Sequence, residues 1–271
     1  MLKMSSSSEI TTLICDLDGT LLESGTCNLK AEDASALKRW KDSGRQLWIA
    51  TGRGIYTKDQ LHKMNIDPGI MVCSSGAVIL YGSQDPVYQG AISADAFHAF
   101  ETWSLQSFPC LDYFLDIAES NERYAKMDNG IMQQHFKNRD LKVNPLSAFD
   151  FNKGKLLRIF CKGPSEAYVA KAAEALNTAF AGILQSYETD ICCMDVLAAG
   201  VNKWNSLSAA MKVCHTDSCH FAAIGDSESD LDMIRSCRIG FTMKESVAAK
   251  MYSKAISVSA VSQAIQYLLG Y

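Results

Sequence analysis

Three short apolar runs, Leu13 to Cys15, Leu47 to Ala50 and Phe221 to Ile224, each end abruptly in small or polar residues: Asp16, Thr51, and Gly225 with Asp226. Runs this short, apolar throughout, have the pattern of strands buried on both faces of a parallel sheet. Between the first two, Leu29 to Ser43 carries Ala34, Leu37 and Trp40 at helical spacing, and Gly44 follows as a stop. The start of the chain therefore reads as strand, helix, strand. The pattern returns at the far end, where Ser229 to Ser236 is helix-compatible, Arg238 to Phe241 is a short strand, and Val261 to Leu269 is periodic again.

The middle reads differently. Ala77 to Tyr81 and Val87 to Gly90 form a hairpin pattern around Gly82 to Pro86, and new elements follow it. These are a helix over Ala94 to Gln106, strands over Leu111 to Ile117, Arg123 to Lys126 and Leu156 to Lys162, and a helix over Ser165 to Phe180. Two more strands, Ile183 to Tyr187 and Ile191 to Val196, close the stretch. The pattern predicts an α/β core over residues 1–90 and 191–271, interrupted by an α+β insert over 91–190.

Composition narrows the function classes. The chain has 271 residues, 48% of them hydrophobic, which is enough for a large core or a core with an inserted second unit. With 26 Lys and Arg against 30 Asp and Glu, it lacks the charge expected of a protein that binds nucleic-acid phosphates. Met1 to Ser8 reads as a loose tail without the apolar stretch of a secretory signal, and no run approaches the ~20 apolar residues of a membrane span. A soluble, cytoplasmic protein is expected, with its ten cysteines reduced and mostly buried.

In a doubly wound sheet, ligands bind beyond the carboxyl ends of the strands, where Asp16, Thr51 and Asp226 would converge. The text around Asp16 is Asp-Leu-Asp-Gly-Thr-Leu-Leu, with Asp18 two residues on and Gly19 free to take unusual backbone conformations. Two carboxylates can face an anionic phosphate only with a divalent cation between them, and oxygen ligands in this number suit magnesium, with Asp226 as a further ligand. Phosphate monoesters hydrolyse extremely slowly unaided, so splitting the reaction through a carboxyl phosphate is attractive: Asp16 attacks, and Asp18 acts as acid and then base. Thr51 and Gly52 can offer donors at a helix N-terminus, and Lys203 a compact positive charge, to the phosphoryl oxygens. Asp230 can hold Lys203 or a metal-bound water in place, with Ser227 and Ser229 beside it.

Each piece also has a blander reading. Asp-x-Asp-Gly is common in solvated surface turns, Lys203 alone could be a solvated lysine, and Thr51-Gly52-Arg53 alone could be a helix cap. The run Asp226, Glu228, Asp230, Asp232 is not a calcium loop, because Leu231 and Cys237 stand where Gly and Glu are needed. Cys214, His215, Cys219 and His220 have metal-ligand chemistry, but their spacing does not suit zinc, and they read as a link into the strand ending at Asp226. His62, His98 and His135 are isolated, and Phe97, Phe100 and Trp103 read as core of the insert.

Taken in order, these residues resemble the haloacid dehalogenase superfamily, and within it the Cof-type phosphatases with a C2-type cap. Motif one is similar to Asp16-Leu17-Asp18-Gly19-Thr20, motif two to Ala50-Thr51-Gly52-Arg53, motif three to Lys203, and motif four to Gly225 through Asp230. The resemblance implies a Rossmann-like doubly wound core with an inserted α+β cap and a bound magnesium ion. It implies Asp16 as nucleophile and metal ligand, and Asp18 as acid/base and a ligand through its backbone carbonyl. Asp226 would be the further ligand, and Thr51 with Lys203 the phosphate clamp. The implied activity is hydrolysis of small phosphorylated metabolites such as sugar phosphates, with a phosphomutase or a non-catalytic sensor as alternatives. Ser75, Trp204 and Ser229 depart from residues usual in that family.

Overall fold

A computed structural model describes residues 9–23, 26–118, 122–136 and 143–271. The tail expected over Met1 to Ser8 lies outside the described residues, as does the side chain of His135.

The first unit builds β1 (Thr12–Cys15), α1 (Ala31–Asp42), β2 (Gln46–Ala50), α2 (Thr57–Lys63), β3 (Ile70–Cys73), β4 (Val78–Tyr81) and β5 (Val87–Tyr88). The chain then forms α3 (Ala94–Ser107), β6 (Asp112–Ile117), β7 (Arg123–Lys126), α4 (Ile131–Phe136), β8 (Val143–Pro145), β9 (Leu156–Lys162), α5 (Glu166–Ala179), β10 (Leu184–Asp190) and β11 (Cys193–Ala198). It finishes with α6 (Lys203–Val213), β12 (Phe221–Gly225), α7 (Leu231–Ser236), β13 (Ile239–Met243), α8 (Val247–Met251), β14 (Ile256–Val258) and α9 (Val261–Leu269).

The first sheet runs in the order β14-β13-β12-β1-β2-β3-β4-β5. Its strands are parallel from β14 to β3, and β4 and β5 add an antiparallel edge. β1, β3 and β12 are buried along their whole length, as their unbroken apolar text requires. Leu37 and Trp40 of α1 and Val261, Ala264 and Ile265 of α9 cover one face, while Leu207 and Met211 of α6 and Leu231 and Ile234 of α7 cover the other. The chain leaves β1 toward β2 on one side and returns through β12 on the other, so the topological switch lies at the end of β1, beside Asp16.

The second sheet runs β10-β11-β9-β6-β7-β8 and is antiparallel except between β7 and β8. Phe97 and Phe100 of α3 and Val169 and Leu176 of α5 pack on one face of it, with Tyr113, Leu115, Ile159 and Met194 from the strands. β11 pairs with both β9 and β10, so a division at 190/191 falls between two antiparallel neighbours, and this sheet extends to Ala198. The expected strand over Ile191 to Val196 begins two residues later because Cys192, at φ 60, makes the turn. The architecture is a mixed α/β fold, with a doubly wound parallel core and an inserted α+β cap.

Candidate active site

Asp16 follows β1 directly and is 4% exposed, and its backbone N–H donates to the Ile224 carbonyl of the neighbouring strand. This pairing brings the loop after β12 alongside Asp16. Gly19 sits at φ 79, a left-handed conformation that lets the chain turn back so that its N–H reaches the Leu22 carbonyl at 2.9 Å.

Lys203 is the first residue of α6, fixed there by Asn202, whose side chain caps the helix through the Asn205 N–H at 2.7 Å. Its ammonium is 4% exposed and donates to Asp16 Oδ1 at 2.8 Å and to Asp230 Oδ1 at 2.7 Å. The other oxygen of Asp230 accepts from the N–H groups of Asp226 and Ser227 and from the Ser227 hydroxyl, which also meets Ser229 Oγ at 2.9 Å. Asp230 thus ties Lys203 to the turn that carries Asp226. It lies in a 3-10 turn ahead of α7, one step before the helix expected to hold it.

Carboxylate oxygens of Asp16, Asp226 and Asp230 lie within 4.8 Å of one another, and Thr20 Oγ1 donates to Asp226 at 3.2 Å. Burial pushes the Asp16 carboxyl well above its ordinary value; Lys203 pulls against that, and Asp230 and Asp226 add to it. Burial also draws the Lys203 ammonium down, but Asp16 and Asp230 outweigh it and leave it above its usual range. Three clustered carboxylates, two of them buried and Asp226 partly so, outnumber the one ammonium. An all-oxygen donor set of this kind fits a hard divalent cation.

Gly225 is required by close approach. A Cβ there would lie 2.5 Å from both Cβ and Cγ of Asp230, so Gly225→Ala displaces Asp230 and loosens Lys203. We expect this substitution to cut turnover at least tenfold while the secondary-structure content seen by circular dichroism is retained.

Asp18 lies beyond Asp16 and is held by a partner the sequence did not reveal. Arg53 grips it with a guanidinium fork, Nε to Oδ2 at 2.8 Å and Nη2 to Oδ1 at 2.6 Å, and also donates to the Thr26 carbonyl. The two residues are 35 positions apart, in loops that follow different strands, and nothing in the spacing pointed to the contact.

Thr51 is fully buried, and its hydroxyl accepts from the Arg53 N–H at 3.1 Å. It does not stand at a helix N-terminus as expected, because α2 starts only at Thr57. Gly52 lies in the connecting loop, 3.2 Å from Arg158 Nη1 of the cap, measured from where a Cβ would sit. Asp16, Asp226, Asp230 and Lys203 are thus brought into one cluster, Ser227 and Ser229 brace it, and Thr51 and Gly52 line the next strand end.

Elsewhere, the cysteines are all free, with Cys15, Cys73, Cys161, Cys193 and Cys237 buried and Cys27, Cys110, Cys214 and Cys219 exposed, so half rather than most are interior. Asp217, Cys219 and His220 approach one another in a surface 3-10 turn, where Asp217 accepts from the Cys219 N–H. Trp204 packs against the face of the core that α6 covers. Among the described residues, no helix is long and apolar enough to cross a membrane.

Comparison with known proteins gives the same picture. A family model for haloacid dehalogenase-like hydrolases matches residues 13–269. The chain is 21% identical over 245 residues to the 5-amino-6-(5-phospho-D-ribitylamino)uracil phosphatase YbjI of Escherichia coli (strain K12), covering 89% of this chain and 87% of that protein. Among solved structures, it resembles a HAD/COF-like hydrolase from Plasmodium vivax (TM-score 0.79, 19% identity, 98% and 96% of the two chains). It also resembles BT1666 from Bacteroides thetaiotaomicron, a phosphatase of the haloalkanoate superfamily (TM-score 0.79, 21% identity, 100% and 99%). With the match spanning nearly the whole sequence, the chain belongs to the haloacid dehalogenase-like hydrolase family.

Proposed function

We propose that the protein is a magnesium-dependent phosphomonoesterase acting on small phosphorylated metabolites through an aspartyl phosphate on Asp16. The observation that carries this reading is the cluster at the ends of β1 and β12. There a buried carboxylate touches a lysine ammonium at 2.8 Å, with Asp226 and Asp230 close by.

Asp16 and Asp226, with the Asp18 backbone carbonyl, would hold the cation, which supplies charge neutralisation that lets a phosphate approach carboxylates. A carboxylate oxygen of Asp16 attacks phosphorus; the bond to the leaving-group oxygen breaks, and that oxygen takes the proton of Asp18. Water then attacks phosphorus and gives its proton to Asp18, and the bond to Asp16 breaks, releasing inorganic phosphate and restoring the carboxylate. Lys203, Thr51 and Gly52 stabilise the charge on the transferring group, and Asp230 keeps Lys203 aimed. Arg53 holds both oxygens of the Asp18 carboxylate and so fixes its orientation, leaving proton exchange to the part of the side chain that stays accessible.

The relatives support a small, polar substrate: YbjI is a phosphatase of a ribityl phosphate, and BT4131, another structural neighbour, is a sugar phosphatase. A cytoplasmic location suits such substrates. The direct assay is p-nitrophenyl phosphate hydrolysis with magnesium. EDTA should abolish activity and added magnesium restore it, and magnesium alone should raise the melting temperature by binding the folded state. Hydrolysis undiminished in EDTA would contradict the proposal.

A further inference from the structure

The 3-10 turn Ser74–Gly76, which follows β3, holds three consecutive residues at positive φ: 49, 55 and 112. For the two serines this left-handed backbone costs free energy and persists only where the surroundings hold it. Both are buried, and the turn meets three parts of the molecule at once.

On the cap side, the Ser74 hydroxyl donates to Asp116 at 2.7 Å and the Ser75 hydroxyl to Asp195. Those carboxylates are themselves fixed. Arg158 Nη1 donates to both oxygens of Asp195 at 2.9 and 3.1 Å, and Arg158 and Arg123 lie 3.5 and 3.3 Å from Asp116. A register shift between β6 and β9 pairs Asp116 with Arg158 and Ile117 with Leu156, which leaves Leu157 as an extra, bulged residue that packs into the core of the catalytic unit. On a second side, the Ser74 N–H donates to the Arg53 carbonyl at 2.7 Å and the Ser75 N–H to the Thr51 carbonyl at 3.0 Å, so the turn also supports the loop after β2. On the third side lies the start of α6. A Cβ on Gly76 would fall 2.4 Å from the backbone carbonyl atoms of Asn202, and the Gly76 carbonyl accepts from the Ser206 hydroxyl at 2.6 Å. Ser206 is buried and stands three residues after Lys203, on the first turn of the helix.

From this chain of contacts we propose that the Ser74–Gly76 turn is a strut that passes the docked position of the cap to Lys203, and that Ser206 is the positioning residue at its catalytic end. The inference rests on the phosphatase reading above, in which Lys203 and Thr51 stabilise the transferring group. With the cap docked, Asp116 and Asp195 hold the two serines in left-handed backbone, which sets Gly76 against Asn202 and Ser206 and fixes the start of α6. The same turn steadies Thr51 and Arg53. Loss of the cap contacts lets the serines relax toward ordinary backbone, and Gly76 then withdraws its carbonyl from Ser206. Charge stabilisation is thus complete only while the cap shields the site from bulk water. A turn held in an uncommon conformation from both sides can take two arrangements, and a double-mutant cycle measures whether distant residues act through it.

The test is such a cycle on p-nitrophenyl phosphate with magnesium, pairing Ser206→Ala in α6 with Asp195→Asn in the cap, two residues whose hydrogen bonds go to different partners. Ser206→Ala should lower kcat about fivefold or more while KM changes by less than about twofold, because the lysine loses its brace and the binding groups remain. The kcat of the double variant should lie within about threefold of the worse single variant, since either change already releases the strut. Losses that multiply, or a Ser206→Ala protein with normal kcat and only a lower melting temperature, would overturn the strut while leaving the phosphatase intact. Ser75→Ala removes a cap contact without changing charge, and it takes the place of Asp195→Asn in the cycle if melting curves show that variant unfolded. No hydrolysis by the wild type would instead remove the phosphatase reading and the role of the strut with it.

Discussion

Replacing Asp16 with asparagine should lower p-nitrophenyl phosphate turnover by roughly ten-thousand-fold or more, the scale seen when a covalent nucleophile is removed and only binding and electrostatics remain. The side chain keeps its size but loses the attacking oxygen and a negative charge. Lys203 would then have Asp230 as its remaining carboxylate partner, at 2.7 Å, so the cluster should stay assembled. The folded protein should therefore survive the substitution, and removal of one buried, desolvated carboxylate should leave its melting temperature unchanged or higher. Near-wild-type turnover in a folded Asp16→Asn protein would contradict the assigned role.

Lys203→Ala should damage both chemistry and stability. Its ammonium bridges Asp16 and Asp230, both nearly inaccessible to solvent, and removing it strands two buried carboxylates. Breaking a buried pair from one side costs about 3–5 kcal/mol, and loss of an electrostatic contact to the transferring group costs about 10²–10³-fold in kcat. The stability loss has a pH signature in the metal-free protein. Burial raises the folded Asp16 carboxyl above its unfolded value, so the linked stability is fully present below the unfolded carboxylate range. It is lost as pH rises through the higher folded value. The gap in melting temperature between Lys203→Ala and wild type should therefore be smallest in acid and widen toward neutrality, and magnesium should narrow it again. A gap that did not change with pH would show that the lost stability comes from packing alone.

The parts of the site that could be read from sequence were those fixed by local pattern. Asp16, Thr51 and Asp226 each end an apolar run, and a parallel sheet brings such ends together whatever the loops do. Lys203 needed more, since its place at the start of α6 depends on the Asn202 cap and on an Asp230 anchored by its own turn. The Arg53 grip on Asp18 joins two loops with no shared periodicity, and so left no signal. Thr51 was expected at a helix N-terminus because Thr-Gly-Arg resembles a cap, yet its hydroxyl closes a turn onto the Arg53 N–H, and the helix starts six residues later, at Thr57.

In the cap, alternation located the strands but hid a buried group of ion pairs. Asp116, Arg158 and Asp195 each look like an isolated charge within an apolar strand, and only the pairing of β6, β9 and β11, with the bulge at Leu157, makes them a group. The end of the cap was similarly obscured. Cys192 and Cys193 sit in an apolar run that looked continuous, whereas the turn at Cys192 starts β11 late and carries the cap sheet to Ala198.

The central claim is the covalent intermediate on Asp16, and it can be trapped. Enzyme mixed with excess p-nitrophenyl phosphate and magnesium, quenched in acid and treated with borohydride, should yield a peptide in which residue 16 is reduced to homoserine, identified by mass spectrometry. Controls without substrate should show aspartate at that position. Reduction at Asp18 or Asp226 instead, or at no residue while phosphate is released with a burst, would contradict the account.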